Sequence, residues 1–282
     1  MTLIADSGST KTDWLIADAF EKISDSIVIK TQGINPVHMS AETIDDILRR
    51  ELLPNVNIPI ARVAFFGAGC TAGAAERMAE ALRVNFPNAS IEVQTDLLGA
   101  ARALLGKRAG IACILGTGSN SCLYDGRQIQ SNVPPLGYIL GDEGSGASLG
   151  RIFLNAMYKG LLPDRVRKLF EDEEGLSYPA VIERVYRQPS ANRFLAGLSP
   201  FVSRHSDIPE VNELVNENFR AFFSRNILAY RTADLQTISA VGSIAFFFEK
   251  NLRQVAGEFG FTLDKVLKSP LRALAEYSVE EE

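Results

Sequence analysis

Short apolar runs that end in small polar residues recur along the chain, and this pattern predicts strands that lead into turns. In the first example Leu3, Ile4 and Ala5 are followed by Asp6, and apolar residues resume at 14–17. We interpret this stretch as a β-hairpin with the turn Ser7-Gly8-Ser9-Thr10-Lys11-Thr12. Backbone N–H groups and hydroxyls in such a turn suit a phosphate. The alternative is an ordinary tight turn rich in Ser and Thr.

A second copy of the pattern favours the phosphate interpretation. Residues 111–115 are apolar, and they lead into Gly116-Thr117-Gly118-Ser119-Asn120-Ser121, a further strand and an Asp125-Gly126 turn. Two copies at the spacing of a domain predict two related domains. We expect the two hairpins to face each other across a cleft and to hold the phosphates of one nucleotide.

The remaining periodicity predicts an α/β protein of two domains. In the first half, strands are predicted at residues 22–30, 63–66 and 91–95. Helices are predicted from an N-cap start at 40–43 to residue 52, at 74–86 with Met78, Leu82 and Val84 facing inward, and at 97–105. Helices follow from 147 to about 230, then a strand at 237–241 and a helix at 244–259. We expect one domain at 1–108, which the C-terminal helix 270–282 could complete, and a second at 109–269 with a helical insertion.

Composition narrows the class of protein. The 282 residues are 46% hydrophobic and 22% charged, which is typical of a globular chain with room for two cores. A net charge of -5 argues against nucleic-acid binding, and we expect no membrane span and no signal peptide. Cys70, Cys113 and Cys122 form no CxxC pair, so we expect buried free thiols in a reducing, cytoplasmic setting.

Two aspartates are candidates for phosphate chemistry. Asp6 lies beside the first phosphate turn and could hold Mg²⁺ through water, although an Asp there can also cap its own turn. Asp96 ends an apolar strand, where α/β sheets bind ligands, and could accept a proton from an alcohol. A helix N-cap is the more common use of such an Asp, and the pattern alone favours it.

Two loops add weaker candidates. Asp142 and Glu143 lie among three glycines at residues 141–146, where they could bind sugar hydroxyls or a cation; the alternative is the first turn of a helix. Gly242 and Ser243 form a strand–glycine–helix step that would admit a purine or ribose. His38 and His205 lack partners at zinc spacing, and no P-loop is present.

Together these motifs resemble the BadF/BadG-type ATPase family, which contains N-acetylglucosamine kinase and belongs to the sugar kinase/Hsp70/actin superfamily. The match covers nearly the whole chain. The resemblance implies a two-domain actin/hexokinase-like (ribonuclease H-like) fold, ATP and Mg²⁺ as cofactors, Asp96 as the base and an amino sugar as the substrate. Its phosphate motifs match residues 6–12 and 116–120, and its adenosine motif matches residues 241–243. The implied sugar ligands are Asn35, Ser119, Asn120 and Asp142.

The sequence leaves the exact activity open. Pro135-Leu136-Gly137-Tyr138 stands where N-acetylglucosamine kinases usually have Gly-Trp-Gly, so the sugar is uncertain. An ATP-dependent amino sugar kinase is our first hypothesis. An ATP-driven switch that acts on a partner protein is the second, and a nucleotide sensor without catalysis is the third. Some members of the resembled family activate other enzymes and hold an iron–sulfur cluster between two subunits through paired cysteines. Cys113 and Cys122 do not resemble that cluster site. The resemblance also suggests a homodimer.

Overall fold

The computed structural model describes residues 1–8, 10–18, 27–232 and 235–280. These residues form two compact units. Unit 1 comprises Met1–Ala109, Tyr124–Ile129 and Ser269–Glu282, and unit 2 comprises Gly110–Leu123 and Gln130–Lys268. The chain therefore returns to unit 1 at its C-terminus.

Unit 1 has five strands in one sheet, in the order β3-β2-β1-β4-β5. β1 and β2 are antiparallel, whereas β1, β4 and β5 are parallel. The elements of this unit are β1 (Thr2–Ser7), β2 (Lys11–Ala17), β3 (Val28–Gln32), α1 (Ala41–Ile47), β4 (Arg62–Gly67), α2 (Ala72–Asn85), β5 (Ser90–Thr95), α3 (Asp96–Leu105) and, from the C-terminus, α13 (Leu271–Glu280).

The core of unit 1 follows from the apolar runs in its strands. Trp14 of β2 and Phe65 of β4 are fully buried, and their rings lie 5.7 Å apart. On α2, Met78 and Leu82 are buried as predicted, but Val84 is 64% exposed, so that part of the prediction is wrong. Val84 is two residues from Leu82, and positions two apart on a helix do not share a face.

Unit 2 contains a second five-stranded sheet, in the order β10-β9-β6-β7-β8. Its large insertion is helical, and aromatic side chains such as Phe153, Phe201 and Phe219 fill the core. The elements are β6 (Gly110–Leu115), β7 (Ser119–Tyr124), β8 (Ile129–Ser131), α4 (Gly137–Leu140), α5 (Gly146–Tyr158), α6 (Asp164–Glu174), α7 (Tyr178–Tyr186), α8 (Ala191–Ala196), α9 (Ser199–Arg204), α10 (Pro209–Phe222), β9 (Thr237–Val241), α11 (Ser243–Phe247), α12 (Glu249–Glu258) and β10 (Thr262–Leu267).

The two sheets repeat the same strand order. In each, the first three strands in sequence are neighbours, and the fourth and fifth extend the sheet from the first strand. β6, β9 and β10 are parallel, as β1, β4 and β5 are. The repeated strand–turn–strand pattern of the sequence is therefore the start of a repeated sheet.

Most predicted elements are confirmed, with two exceptions. The predicted helix at 244–259 divides into α11 and α12 at Phe248, where ψ is 30°. The predicted strand at 22–30 is observed only from Val28, and residues 22–26 lie outside the described part of the chain. The three cysteines are free and buried as expected. Within the described ranges no helix is long and apolar enough to cross a membrane.

Candidate functional site

Two buried hydroxyl groups, those of Ser7 and Thr12, stabilise the turn between β1 and β2. Ser7 Oγ lies 2.7 Å from Thr12 Oγ1 and donates to the Ile34 carbonyl at 2.9 Å. The Thr12 hydroxyl thus supports the turn, whereas Gly8, Thr10 and Lys11 are exposed on its surface. Ser9, which the sequence also predicts to bind phosphate, lies outside the described residues.

The loop after β3 packs directly on this turn and carries Asn35. A Cβ atom on Gly33 would lie 2.5 Å from the Gly8 carbonyl oxygen, so only glycine permits this approach. Asn35 Oδ1 accepts a hydrogen bond from the Val37 amide at 3.0 Å. A Cβ on Gly69 would lie 2.2 Å from that same oxygen. Asn35 is therefore fixed beside the loop that leaves β4.

Asp6 and Asp13 lie directly opposite each other in the β1–β2 pair. Asp13 is 7% exposed, and its Oδ2 atom pairs with the Lys11 ammonium. Its Oδ1 atom is buried without a hydrogen-bond partner among the residues described. The sequence analysis missed Asp13, although a charged residue directly before the apolar run Trp14-Leu15-Ile16 is a signal that could have identified it.

Asp96 is the first residue of α3, directly after β5. Thr95 is the N-cap, and its hydroxyl oxygen accepts from the Leu98 amide at 3.2 Å. The N-cap interpretation of Asp96 is therefore wrong. Asp96 Oδ1 accepts from the Leu97 amide at 2.9 Å.

Burial raises the pKa values of both candidate aspartates. The pKa of Asp6 rises to about 7, because burial and the charges of Asp96 and Asp13 outweigh the opposing charge of Lys11. The pKa of Asp96 rises to about 6, because burial outweighs the stabilising Leu97 amide. A carboxylate with a pKa near the working pH has the property that a general base needs.

The carboxylates of Asp6 and Asp13 fit a hydrated Mg²⁺ ion. Over residues 1–8, 10–18, 27–232 and 235–280, no group of three or more His, Cys, Asp or Glu could by itself enclose a metal ion. Mg²⁺ does not require such a group, since it keeps several waters and binds one or two carboxylates together with phosphates. Asp6 and the unpartnered Asp13 oxygen match that donor set.

In unit 2 the predicted phosphate turn is attached to the start of α5. The Gly146 amide donates to the Gly116 carbonyl at 2.8 Å, and the Ala147 amide to the Thr117 carbonyl at 3.1 Å. Gly242 packs on the same backbone: it has φ of +125°, and an added Cβ would lie 2.3 Å from the Leu115 carbonyl oxygen. Exposed Ser243 follows it as the first residue of α11.

The loop at residues 141–146, called the acidic loop below, places Asp142 beside the phosphate turn of unit 2. Asp142 has φ of +54°, and its Oδ1 atom accepts from the Ser119 amide at 3.4 Å. A Cβ on Gly118 would lie 3.0 Å from Asp142 Oδ2. Burial raises the pKa of Asp142 despite the Ser119 amide. Asn120 belongs to the same group and accepts from Asn132 Nδ2 at 2.8 Å.

Glu143 has a different environment from Asp142. Arg225 Nη1 donates to Glu143 Oε1 at 2.7 Å. Burial alone would raise the pKa of Glu143, but hydrogen bonding, including that from Arg225, lowers it. Ser145 is the N-cap of α5, so both acidic residues precede the helix and the first-turn interpretation is wrong. The predicted site residues thus form two groups, one in each unit, and their action on a single nucleotide stays a prediction.

Comparison with known proteins gives the family. No family model and no curated protein matches the chain. A candidate N-acetylglucosamine kinase from Porphyromonas gingivalis has a solved structure that is 49% identical over 99% of both chains, with a TM-score of 0.95. A second candidate N-acetylglucosamine kinase, from Chromobacterium violaceum, is 18% identical over 98% of both chains, with a TM-score of 0.70.

A more distant structure shares the fold. It is a ROK family glucokinase from Streptomyces griseus in complex with glucose and AMPPNP, 15% identical over 98% of both chains, with a TM-score of 0.58. The two repeated sheets described above are thus those of the two-domain, actin-like sugar kinase fold. The identity to the Porphyromonas gingivalis protein and its full-length coverage show that the chain belongs to the N-acetylglucosamine kinase-like family of sugar kinases, within the actin/hexokinase-like superfamily.

Proposed function

We propose that this protein is an ATP-dependent kinase that phosphorylates a hydroxyl group of an amino sugar. One observation carries the proposal: a carboxylate whose pKa is raised to about 6 by burial, Asp96, stands at the carboxyl end of a parallel strand in a chain of the sugar kinase family. The carboxyl ends of parallel strands are where α/β folds bind their ligands. The amino sugar comes from the description of the Porphyromonas gingivalis relative.

Asp96 is the general base in this proposal. Its carboxylate accepts the proton of the sugar hydroxyl as that oxygen bonds to the γ-phosphorus of ATP. The bond from the γ-phosphorus to the bridging oxygen breaks, and ADP leaves with the electron pair. The products are a phosphosugar, ADP and a proton, which Asp96 later releases to solvent.

The glycine-rich turns supply the phosphate contacts. In unit 1 these are the exposed Gly8, Thr10 and Lys11, together with Ser9; in unit 2 they are Gly116, Thr117 and Gly118. Their N–H groups and hydroxyls stabilise charge on the transferring group. Bound Mg²⁺, held by Asp6 through water, would neutralise charge on the phosphates. Gly242 and Ser243 would contact the adenosine.

The sugar ligands come from both groups. Asn35 belongs to unit 1, and Ser119, Asn120 and Asp142 belong to unit 2. Carboxylate and amide groups bind sugar hydroxyls through hydrogen bonds, and a charged acceptor makes the stronger bond. Because Glu143 is paired with Arg225, its role in this proposal is to maintain the conformation of the loop, and Asp142 is the direct ligand of the sugar.

A coupled assay tests this function. The protein is incubated with ATP and Mg²⁺, with and without N-acetylglucosamine, N-acetylmuramic acid or glucosamine, and both ADP and phosphosugar are measured. We expect one sugar to stimulate ADP release and to yield one phosphosugar per ADP. ADP release that no sugar changes would contradict the kinase and would favour an ATPase that acts on a partner protein.

A further inference from the structure

Asn218 of α10 is a buried amide, and among the described residues its side chain hydrogen-bonds only to the backbone of the acidic loop. It is 2% exposed. Its Oδ1 atom accepts from the Gly144 amide at 3.2 Å, and its Nδ2 atom donates to the Ser145 carbonyl at 3.2 Å. Both ends of the side chain amide are therefore satisfied by two consecutive residues that lie more than 70 positions earlier in the sequence.

The rest of α10 presses on the same part of the loop. Phe222 lies one turn beyond Asn218, and a Cβ on Gly144 would lie 2.8 Å from the Phe222 Cβ atom. Gly144 has φ of +80°, a conformation that favours glycine. Beyond the end of α10, Arg225 holds Glu143 at 2.7 Å. A single helical segment of the insertion thus contacts residues 143, 144 and 145 in turn.

The position of Asp142 depends on those three residues. The Ser145 amide donates to the Asp142 carbonyl at 3.1 Å, and the Asp142 amide donates to the Pro135 carbonyl at 2.9 Å. By contrast, within the described part of the chain the Asp142 carboxylate accepts a single long hydrogen bond, of 3.4 Å, from the Ser119 amide. A bond of that length restrains a side chain weakly. The backbone of the loop must therefore determine where the carboxylate lies.

We propose that Asn218 is a positioning residue for sugar binding, which acts through the Gly144–Ser145 backbone to hold Asp142 in its left-handed conformation. This inference rests on the proposed function, in which Asp142 binds the sugar. Removal of the amide leaves the buried Gly144 N–H without its partner, whereas the Ser145 carbonyl still accepts from the Leu149 amide at 3.0 Å, and the loop must move to satisfy the Gly144 N–H. Movement of the loop displaces Asp142 and weakens sugar binding, while the phosphate turns keep their own hydrogen bonds.

Asn216 provides a matched control on the same helix. It is 3% exposed, and its amide accepts from Asn251 Nδ2 at 2.8 Å and donates to Glu213 Oε2 at 3.3 Å. None of these partners belongs to the acidic loop. Asn218→Leu and Asn216→Leu make the same chemical change at two buried amides of α10, so a general loss of stability affects both variants.

The test compares the two variants with the wild-type protein. Calorimetry gives the sugar dissociation constant, steady-state kinetics gives kcat and both KM values, and thermal unfolding gives Tm. We expect Asn218→Leu to raise the dissociation constant and the KM of the sugar about tenfold, with the KM of ATP nearly unchanged. Asn216→Leu should lower Tm to a similar extent and leave sugar binding as in the wild type. Equal losses of sugar affinity in both variants, or none in Asn218→Leu, would overturn the inference.

Two further measurements keep the inference separate from the proposed function. The amide resonance of Ser119, which reports on Asp142, should shift in Asn218→Leu and not in Asn216→Leu, whether or not any sugar binds. If the wild type binds no sugar, the function fails while this resonance still decides the role of Asn218. If Asn218→Leu does not fold, Asn218→Ala replaces it: it removes the acceptor for the Gly144 amide without adding volume, and unchanged Ser119 and sugar signals would again refute the inference.

Discussion

Asp6 and Asp96 of unit 1 and Glu143 of unit 2 have opposite electrostatic environments. Desolvation raises the pKa of Asp6 to about 7, with further contributions from the charges of Asp96 and Asp13, and desolvation raises the pKa of Asp96 to about 6. In unit 2, Glu143 is paired with Arg225, and the loop around it is tied to α10 by Asn218. The first arrangement makes proton transfer near neutral pH possible, whereas the second determines where a ligand group lies. The difference predicts that a change at Asp96 alters turnover, whereas changes that displace Asp142 in the acidic loop of unit 2 alter sugar affinity.

The largest expected effect is that of Asp96→Asn. An amide cannot accept the proton of the sugar hydroxyl, so we expect kcat to fall about 10²- to 10⁴-fold. Calorimetry should show sugar binding close to that of the wild type. Asp46→Asn, at a surface residue whose side chain is 53% exposed, is the control and should have normal kinetics. Nearly normal turnover in Asp96→Asn would show that Asp96 is not the general base.

The pH dependence of kcat/KM gives the next largest effect. Asp96 must be ionised to act as a base, so activity is lost as the pH falls through the folded-state pKa of about 6. We expect kcat/KM to fall about tenfold per pH unit below that value. Asp96→Asn should lose this acidic limb. A residual activity with the same limb would assign the titration to another group.

Gly118→Ala tests the contact inside unit 2. The added methyl would lie 3.0 Å from Asp142 Oδ2, so we expect the carboxylate to shift. Loss of one hydrogen bond to the sugar should raise its KM about three- to tenfold, with a smaller change in kcat. Gly257→Ala, at a position on α12 with no atom within 4 Å of the new Cβ, should leave the kinetics unchanged. A fall in kcat without a change in the KM of the sugar would assign the effect to the phosphate turn, to which Gly118 also belongs, and would contradict the expected shift of Asp142.

Asp6→Asn has the smallest expected effect on the protein as a whole, and it concerns stability. Because the folded state raises the pKa of Asp6 from 3.8 to about 7, ionisation of Asp6 opposes folding above pH 7, and this cost disappears as the pH falls towards 4. We expect Asp6→Asn to stabilise the protein at pH 8 by about 1 kcal/mol or more, since one pKa unit corresponds to about 1.4 kcal/mol. The gain should vanish near pH 4, as thermal unfolding at both pH values would measure.

Glu92→Gln is the contrasting variant for that measurement. Burial would raise the pKa of Glu92, but the guanidinium groups of Arg102 and Arg62 lower it. Its ionisation therefore favours folding, and the variant should be less stable at pH 8. If Asp6→Asn also destabilised the protein at pH 8, the interpretation that burial and nearby negative charges raise the pKa of Asp6 would be wrong.

The repeated architecture and most of the local elements could be predicted from the residues alone. Apolar runs specify buried strands because both faces of such a strand pack against apolar side chains. The glycines and small hydroxyl residues that follow these runs specify the turns. The resemblance of six short motifs, in order, was enough to predict the sugar kinase fold. The prediction for Val84 was wrong for a reason that the sequence itself contains, since helical spacing separates Val84 from the face that carries Met78 and Leu82.

The contacts that position the candidate residues could not be predicted in this way and depend on the folded protein. Thr95, not Asp96, caps α3, which depends on a difference of one residue at the end of a strand. Asp13 comes opposite Asp6 through the register of two strands, and Asn218 reaches the acidic loop from a helix more than 70 residues away. Register and long-range packing depend on the whole sheet and the whole core, and a pattern of neighbours in sequence carries no record of them.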